Sequence, residues 1–308
     1  MNIVSIGEIL WDVFPDAEKL GGATFNFSVH ASRLGHIPYF VSAVGDDGRG
    51  RRARKIAADL GLPIDFLQVR PGVATGTVDV KVDTNGQPDF TLHRPAAYDH
   101  LELTSEVLNR LAALQPQWLY FGTLHQILPG PKEQTRILLS RLPEAKRFYD
   151  VNLRRDCYTP ELLLQLLESA DVVKLNEDEA REIDAMNGRS WRSPSAFTAY
   201  WSDRFQWHAI AITRGAEGCA LRVAGEYAEV PGVVVRVADT VGAGDAFSAA
   251  FVHGLSQSWD PKRIGDFANR VGALVASRPG GIPQWSASEI SGTDSPALNG
   301  PAATAGVG

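Results

Sequence analysis

The sequence predicts an α/β fold: a mainly parallel central sheet with crossover helices, joined to a small β-sheet lid. Three observations carry this. From residue 104 onward, helical stretches alternate with short apolar strands, as parallel strands joined by crossover helices require. Residues 75–92 hold a half-polar hairpin. Val78, Val80 and Val82 alternate with Thr77, Asp79, Lys81 and Asp83; Asn85-Gly86 supplies the turn; Phe90 and Leu92 return. Near the C-terminus a Gly242-Ala243-Gly244 turn opens an apolar helix over 246–255.

Residues 2–6 read as a buried strand ending at Gly7. Asp12 follows in an otherwise apolar stretch. It is either a surface turn residue or a carboxylate that accepts two hydrogen bonds from a diol. The double glycine Gly21-Gly22 precedes a helix over 25–34. Gly22 permits close approach of a small ligand, and Asn26, one turn in, offers both donor and acceptor. The same residues also make an ordinary glycine-rich helix start. Residues 39–44 form a strand, 45–48 a turn with an acidic helix cap, and 50–60 an amphipathic helix. After the hairpin, Arg94 stands at a strand end, where it is either solvated or a contact for a sugar hydroxyl or carboxylate.

The alternating region then reads in order. A helix spans 104–114, a strand 118–121, a helix 131–142 and a strand 147–152. Asp150, Asn152 and Arg154 lie at the carboxyl end of that strand, where parallel sheets form their ligand crevice. A polar loop explains them equally. Thr159-Pro160-Glu161 is a helix start with Thr as cap and Pro in the first position. A strand over 171–175 leads to Asn176 and Glu179, which have the spacing of a capping box. Strands over 209–213 and 219–223 flank the turn Arg214-Gly215-Ala216-Glu217-Gly218. A helix covers 261–277. Residues 286–308, rich in Ser, Ala, Gly and Pro, are expected to be a mobile tail.

Composition sets limits. A chain of 308 residues with 44% hydrophobic content supports a large core. A net charge of −6 argues against a nucleic-acid surface. The cluster Arg49, Arg51, Arg52, Arg54 and Lys55 lies on a predicted helix and reads as a solvated face. The two cysteines, Cys157 and Cys219, suggest neither a disulfide framework nor a metal site. The first residues read as a strand rather than a signal peptide, and no stretch approaches membrane-span length, so a cytoplasmic protein is expected.

The chemistry centres on the glycine turn. A Gly-Ala-Gly turn at a helix start leaves backbone N–H groups aimed one way, and such a nest binds phosphate. Asp245, in the first turn, can accept a proton from a hydroxyl that attacks the phosphate. The helix dipole alone also favours Asp there. The turn resembles part of a dinucleotide fingerprint too, but Phe247 stands where the third glycine belongs, and no acidic residue ends a strand at the expected distance.

The string Asp239-Thr240-Val241-Gly242-Ala243-Gly244-Asp245-Ala246-Phe247 resembles the C-terminal signature of the ribokinase-like (PfkB) carbohydrate kinases. Gly21-Gly22-x-x-x-Asn26 resembles the N-terminal signature of the same family, and the likeness runs over residues 2–285. It implies a three-layer ribokinase-like sandwich over 1–285, with a lid from about 9–21 and 72–97. It also implies transfer of the γ-phosphate of ATP to a sugar hydroxyl. Gly242, Ala243 and Gly244 would be the anion hole and Asp245 the catalytic base. Asp12, Gly22 and Asn26 would hold the sugar.

The finer resemblances follow. Arg94 with Asp99 resembles fructokinases. Asp150-x-Asn152-x-Arg154 resembles the sugar-acid and fructose branches, with Arg154 or Arg94 able to meet a carboxylate. Asn176-x-x-Glu179 resembles the motif that orders magnesium, with Glu179 acting through water. Thr213, Gly215 and Gly218 match a loop against the nucleotide, which Arg214 approaches; Asn269 and Ala273 border the adenine. The Asp239 region and residues 278–283 bind a monovalent cation such as K+ in several relatives. The resemblance implies fructose as substrate, with 2-keto-3-deoxygluconate, ribose or a nucleoside as alternatives, and a homodimer through the lid. From a different class, the chain is a non-catalytic sugar sensor.

Overall fold

The computed structural model describes residues 1–82 and 88–291. The chain opens with β1 (Asn2–Ile6), β2 (Leu10–Val13), β3 (Glu18–Gly21), α1 (Ala23–Arg33), β4 (Ile37–Gly45), α2 (Gly48–Asp59), β5 (Leu67–Arg70), β6 (Gly76–Val82) and β7 (Pro88–His93). It continues with α3 (Ser105–Ala113), β8 (Trp118–Gly122), α4 (Pro129–Arg141), β9 (Lys146–Asp150), α5 (Pro160–Glu168), β10 (Val172–Asn176), α6 (Glu177–Met186) and α7 (Pro194–Phe205). Last come β11 (Ala209–Thr213), β12 (Cys219–Val223), β13 (Glu226–Val230), α8 (Ala243–Ser256), α9 (Pro261–Ala276) and α10 (Ala287–Ser291).

Among the described residues, nine strands form one sheet in the order β13-β12-β11-β10-β9-β8-β1-β4-β5. Neighbours from β11 to β5 run parallel, and β12 and β13 close the edge antiparallel. Strand periodicity divides the core in two. Val4, Ile6, Leu119, Phe121, Val173 and Leu175 pack with residues of α3 to α7. Their chain neighbours Ile3, Trp118, Tyr120 and Val172 pack with α1, α8 and α9. Runs buried on both faces are what an all-parallel centre requires. The smaller sheet has the order β3-β2-β6-β7 and is built from the segments expected to make the lid. The β6 alternation holds, with Val78 and Val80 buried. Its expected Asn85-Gly86 turn lies outside the described residues.

Local chemistry sets the helix starts. Thr159 caps α5 by accepting from Leu162 N (3.2 Å), with Pro160 behind it. Asp47 does the same for α2 through Gly50 N (2.7 Å). Four features of the fold lie beyond the sequence reading. β13 and α7 carry no strong periodic signal and take shape through packing, as with Trp201 against Phe197 and Phe205. The β-branched run Val233, Val234, Val235, Val237 makes no strand; Val234 is 91% exposed. The tail expected from residue 286 begins as α10 instead, with Ile290 buried in the α1/α8/α9 core.

In the α1/α8/α9 core the Phe27 ring stacks on Tyr120 with centroids 3.7 Å apart and meets Phe148 edge-on. Phe27→Ala opens a cavity beneath α1. The expected outcome is a loss of roughly 3–5 kcal/mol of unfolding free energy in a denaturant titration. A loss below about 1 kcal/mol would mean that α1 does not depend on this stack.

Candidate active site

The glycine start of α1 is held by a residue that the sequence reading passed over. Glu8, 3% exposed, accepts from Ala23 N (2.9 Å) and from the Thr24 hydroxyl (3.4 Å). It thus caps a helix whose own residues give no side-chain cap. Burial pushes its carboxyl up, while the backbone N–H donors pull it back. Gly22 has φ 109°, and a Cβ there would stand 2.7 Å from Glu8 O, so a side chain is barred twice. The sequence signal was a carboxylate directly after a buried strand, with a cap-less helix start to follow.

Asn26, on the next turn, reaches across the molecule. Its Nδ2 donates to Asp245 Oδ2 at 2.8 Å, joining the N-terminal and C-terminal motifs. Asn26 Oδ1 is buried with no partner among the described residues. Asp245 lies in the first turn of α8, 9% exposed. Burial pushes its carboxyl up to about 7, helped by the charge of Asp150; the Asn26 hydrogen bond, Lys174 and Arg154 oppose the shift. The helix begins at Gly242 in the left-handed region (φ 78°), where a Cβ would stand 2.1 Å from Gly281 O. Gly281 O in turn accepts from His30 Nε2 (2.9 Å), whose Nδ1 accepts from Trp285. The closing loop is therefore pinned to α1 and presses on the glycine turn. Of the first-turn N–H groups of α8, Ala243 N donates to Thr240 O (3.3 Å), and those of Gly244 and Asp245 precede the first intrahelical bond, from Ala246 N to Gly242 O.

Asp12 and Arg154 approach from opposite sides. Burial pushes Asp12 up to about 6; the charges of Arg154 and Lys19 draw it down and Asp239 raises it. Its Oδ2 lies 3.1 Å from a Cβ placed on Gly21. Arg154 is exposed, and its charge also reaches Glu8 and Asp245. The charge of Arg154 thus links Asp12, Glu8 and Asp245, and Asn26 bonds Asp245 from the helix that Gly22 begins. Arg94 does not join them. Its Nε and Nη2 grip both oxygens of Asp99 and its Nη1 donates to Leu124 O (2.8 Å). The Arg94/Asp99 spacing is a buried ion pair, with side chains 12% and 2% exposed.

Asn176 and Glu179 form the reciprocal capping box at 2.8 Å each way. The other oxygen of Glu179 accepts from Leu153 N (2.8 Å), so it also fixes the loop that carries Arg154. Thr213 ends β11. Gly218 (φ 94°) packs where a Cβ would stand 2.1 Å from Val230 O, while Gly215 lies open. Asn269 donates to Val230 O and Pro231 O, holding that wall in place. Arg214 pairs with Glu229 (3.0 Å). Asp239, expected near a cation, accepts from Val241 N and Gly280 N, and Lys19 of the lid reaches it at 3.4 Å. Among the described residues, no group of three or more His, Cys, Asp or Glu could hold a metal ion, and no helix is long and apolar enough to cross a membrane.

Known proteins are similar to this chain in sequence and fold. The pfkB family carbohydrate kinase model matches residues 2–287. The fructokinase of Escherichia coli is 29% identical, covering 90% of this chain and 94% of that protein. A fructokinase from Xylella fastidiosa, solved with bound ATP, superposes with a TM-score of 0.82 at 23% identity, covering 94% of this chain and 96% of the other. A putative ribokinase II from E. coli in complex with ATP and Mg2+ gives 0.81 at 22% identity, covering 94% and 97%. The small sheet, the glycine turn before α8 and the buried Asn26–Asp245 contact thus stand on a sequence that matches one family over residues 2–287: the chain belongs to the pfkB family of carbohydrate kinases, phosphotransferases with an alcohol group as acceptor.

Proposed function

We propose that this kinase transfers the γ-phosphate of ATP to a hydroxyl of a neutral sugar, with fructose as the first acceptor. The observation that carries the proposal is the 2.8 Å hydrogen bond from Asn26 to Asp245, which sets the glycine start of α1 against a buried carboxylate. A sugar held by Asp12, Gly22 and Asn26 presents one hydroxyl to Asp245, and the unpartnered Asn26 Oδ1 accepts from another. As the hydroxyl oxygen bonds to the γ-phosphorus, the bond from that phosphorus to the bridging oxygen breaks. ADP leaves, and the proton passes to Asp245. The N–H groups of the Gly242–Gly244 turn stabilise charge on the phosphoryl oxygens. Closure of the lid over the sugar excludes water that would otherwise take the phosphate.

Thr213, Gly215, Gly218 and Asn269 form the nucleotide wall. Both oxygens of Glu179 already accept a backbone N–H, so Asn176 and Glu179 fit a hard cation reached through water. They would hold magnesium through water, and the ion would supply positive charge against the ATP phosphates. The oxygens of Asp239 are engaged, and activation by a monovalent cation is left out of this reading.

The fructokinases among the relatives support fructose. So does Arg94, whose guanidinium is committed to Asp99 and is not free for a sugar acid. Exposed Arg154 favours a second reading, in which a 2-keto-3-deoxygluconate-type acid meets it. Ribose or a nucleoside are the other acceptors. The sensor reading would show sugar binding by calorimetry with no ADP formed. For assembly we infer a homodimer through the lid, to be seen as a dimer mass by light scattering.

With magnesium-ATP and a panel of fructose, 2-keto-3-deoxygluconate, ribose and adenosine, fructose should give the highest kcat/KM. Asp245→Asn should lower that turnover by roughly 10²–10⁴. Preference for the acid, lost in Arg154→Gln, would select the second reading.

The pH dependence has a fixed sign. Asp245 must be ionised to accept a proton, and its carboxyl is pushed up to about 7, so kcat/KM should fall as pH drops below about 7. The Asn26 hydrogen bond favours the ionised form. Asn26→Leu should therefore move the acid limb to higher pH, besides weakening sugar binding. A limb that stays in place would show that Asp245 is not the group that titrates.

A further inference from the structure

Lys174 belongs to neither signature and has no part in the steps above. It stands on β10 directly opposite Asp150 on the parallel neighbour β9, on the sheet face that α8 covers. Its ammonium donates to Asp150 Oδ1 at 3.1 Å. The same nitrogen lies 3.2 Å from the point where a Cβ on Gly244 would stand, against the underside of the anion-binding turn. Asp150 is fully buried and Lys174 is 6% exposed. The second oxygen of Asp150 accepts from Ser248 (2.7 Å) and Tyr120 (3.1 Å), so the carboxylate that aims the lysine is itself fixed.

The surroundings make this cation more than an ordinary core pair. A buried ion pair is weak evidence for stability, because desolvation offsets most of its Coulomb gain. The charges that face Lys174 are Asp150 from β9, Glu179 from α6 and Asp245 from α8. Three carboxylates thus crowd the place where the terminal phosphate of ATP must bind. A fixed positive charge beneath the turn counters them, and in a buried site it needs no reorganisation when charge shifts during reaction.

We propose that Lys174, aimed by Asp150, is a positioning residue for phosphoryl transfer: its ammonium beneath Gly244 stabilises the negative charge that gathers on the phosphoryl group in the anion hole. The proposal rests on transfer at Asp245 and is independent of which sugar accepts.

The test compares Lys174→Met with the double variant Lys174→Met/Asp150→Asn, using the sugar that the wild type phosphorylates best. The expected single-variant result is a kcat lower by roughly 10²–10³, with the sugar KM within a fewfold. Calorimetric affinity for MgADP with aluminium fluoride, a mimic of the transferring group, should fall in parallel while ATP affinity holds. The double variant has no unpaired buried carboxylate. It should regain melting temperature yet keep the loss in kcat. Recovery of wild-type turnover in the double variant would mean that Lys174 only neutralises Asp150, and the proposal would fall. Unchanged kcat in the single variant would overturn it as well. Should the single variant fail to fold, the double variant alone decides. If the wild type phosphorylates no sugar, it is the acceptor reading that fails, and the same comparison is read from ATP hydrolysis.

Discussion

The contact between Asn26 and Asp245 organises this molecule. It joins residues far apart in the chain, and it forms only if α1 and α8 pack side by side with their N-termini level. Both helices achieve this by presenting buried faces to one sheet surface, with Phe27, Ala31, Ala246 and Ala250 in one core. Small residues on α8 allow the approach, and the Phe27–Tyr120 stack sets its depth. The reactive groups then lie at the carboxyl edge of the sheet, where several strand ends converge.

Burial is what makes the carboxylates useful. Asp245 and Asp12 both rise well above their ordinary range because water is excluded and acidic neighbours are close. Such crowding is tolerable because each buried carboxylate has a donor or cation. Glu8 has the α1 N–H groups, Glu179 has two backbone N–H groups, and Asp150 has Lys174, Ser248 and Tyr120. These carboxylates are therefore satisfied, while Asn26 Oδ1 beside Asp245 is among the buried side-chain atoms left without a partner among the described residues.

The lid is tied to the body by charge as well as by chain. Glu18 on β3 meets Arg49 and Arg52 of α2, and Lys19 meets Asp239 ahead of α8. Part of the basic cluster on α2 is thus a docking face for the lid rather than a purely solvated surface. These pairs are half exposed, so each is individually weak and exchangeable with water.

The sequence by itself determined the alternating strands and helices, the lid hairpin, the caps at Thr159 and Asn176, and the two glycine signatures. These are local matters: period, capping chemistry and turn residues act within a few positions of the chain. It did not determine α7 or β13, whose patterns are weak and whose form comes from packing. Nor did it separate the two meanings of Arg94, since solvated, ligand-binding and ion-paired arginines share one local pattern. The structure commits Arg94 to Asp99 and brings Glu8 to a helix that the sequence left uncapped. Above all, Lys174 read as an ordinary strand residue. Its place beneath Gly244 depends on which strands lie side by side and which helix covers them, and only the folded chain decides that.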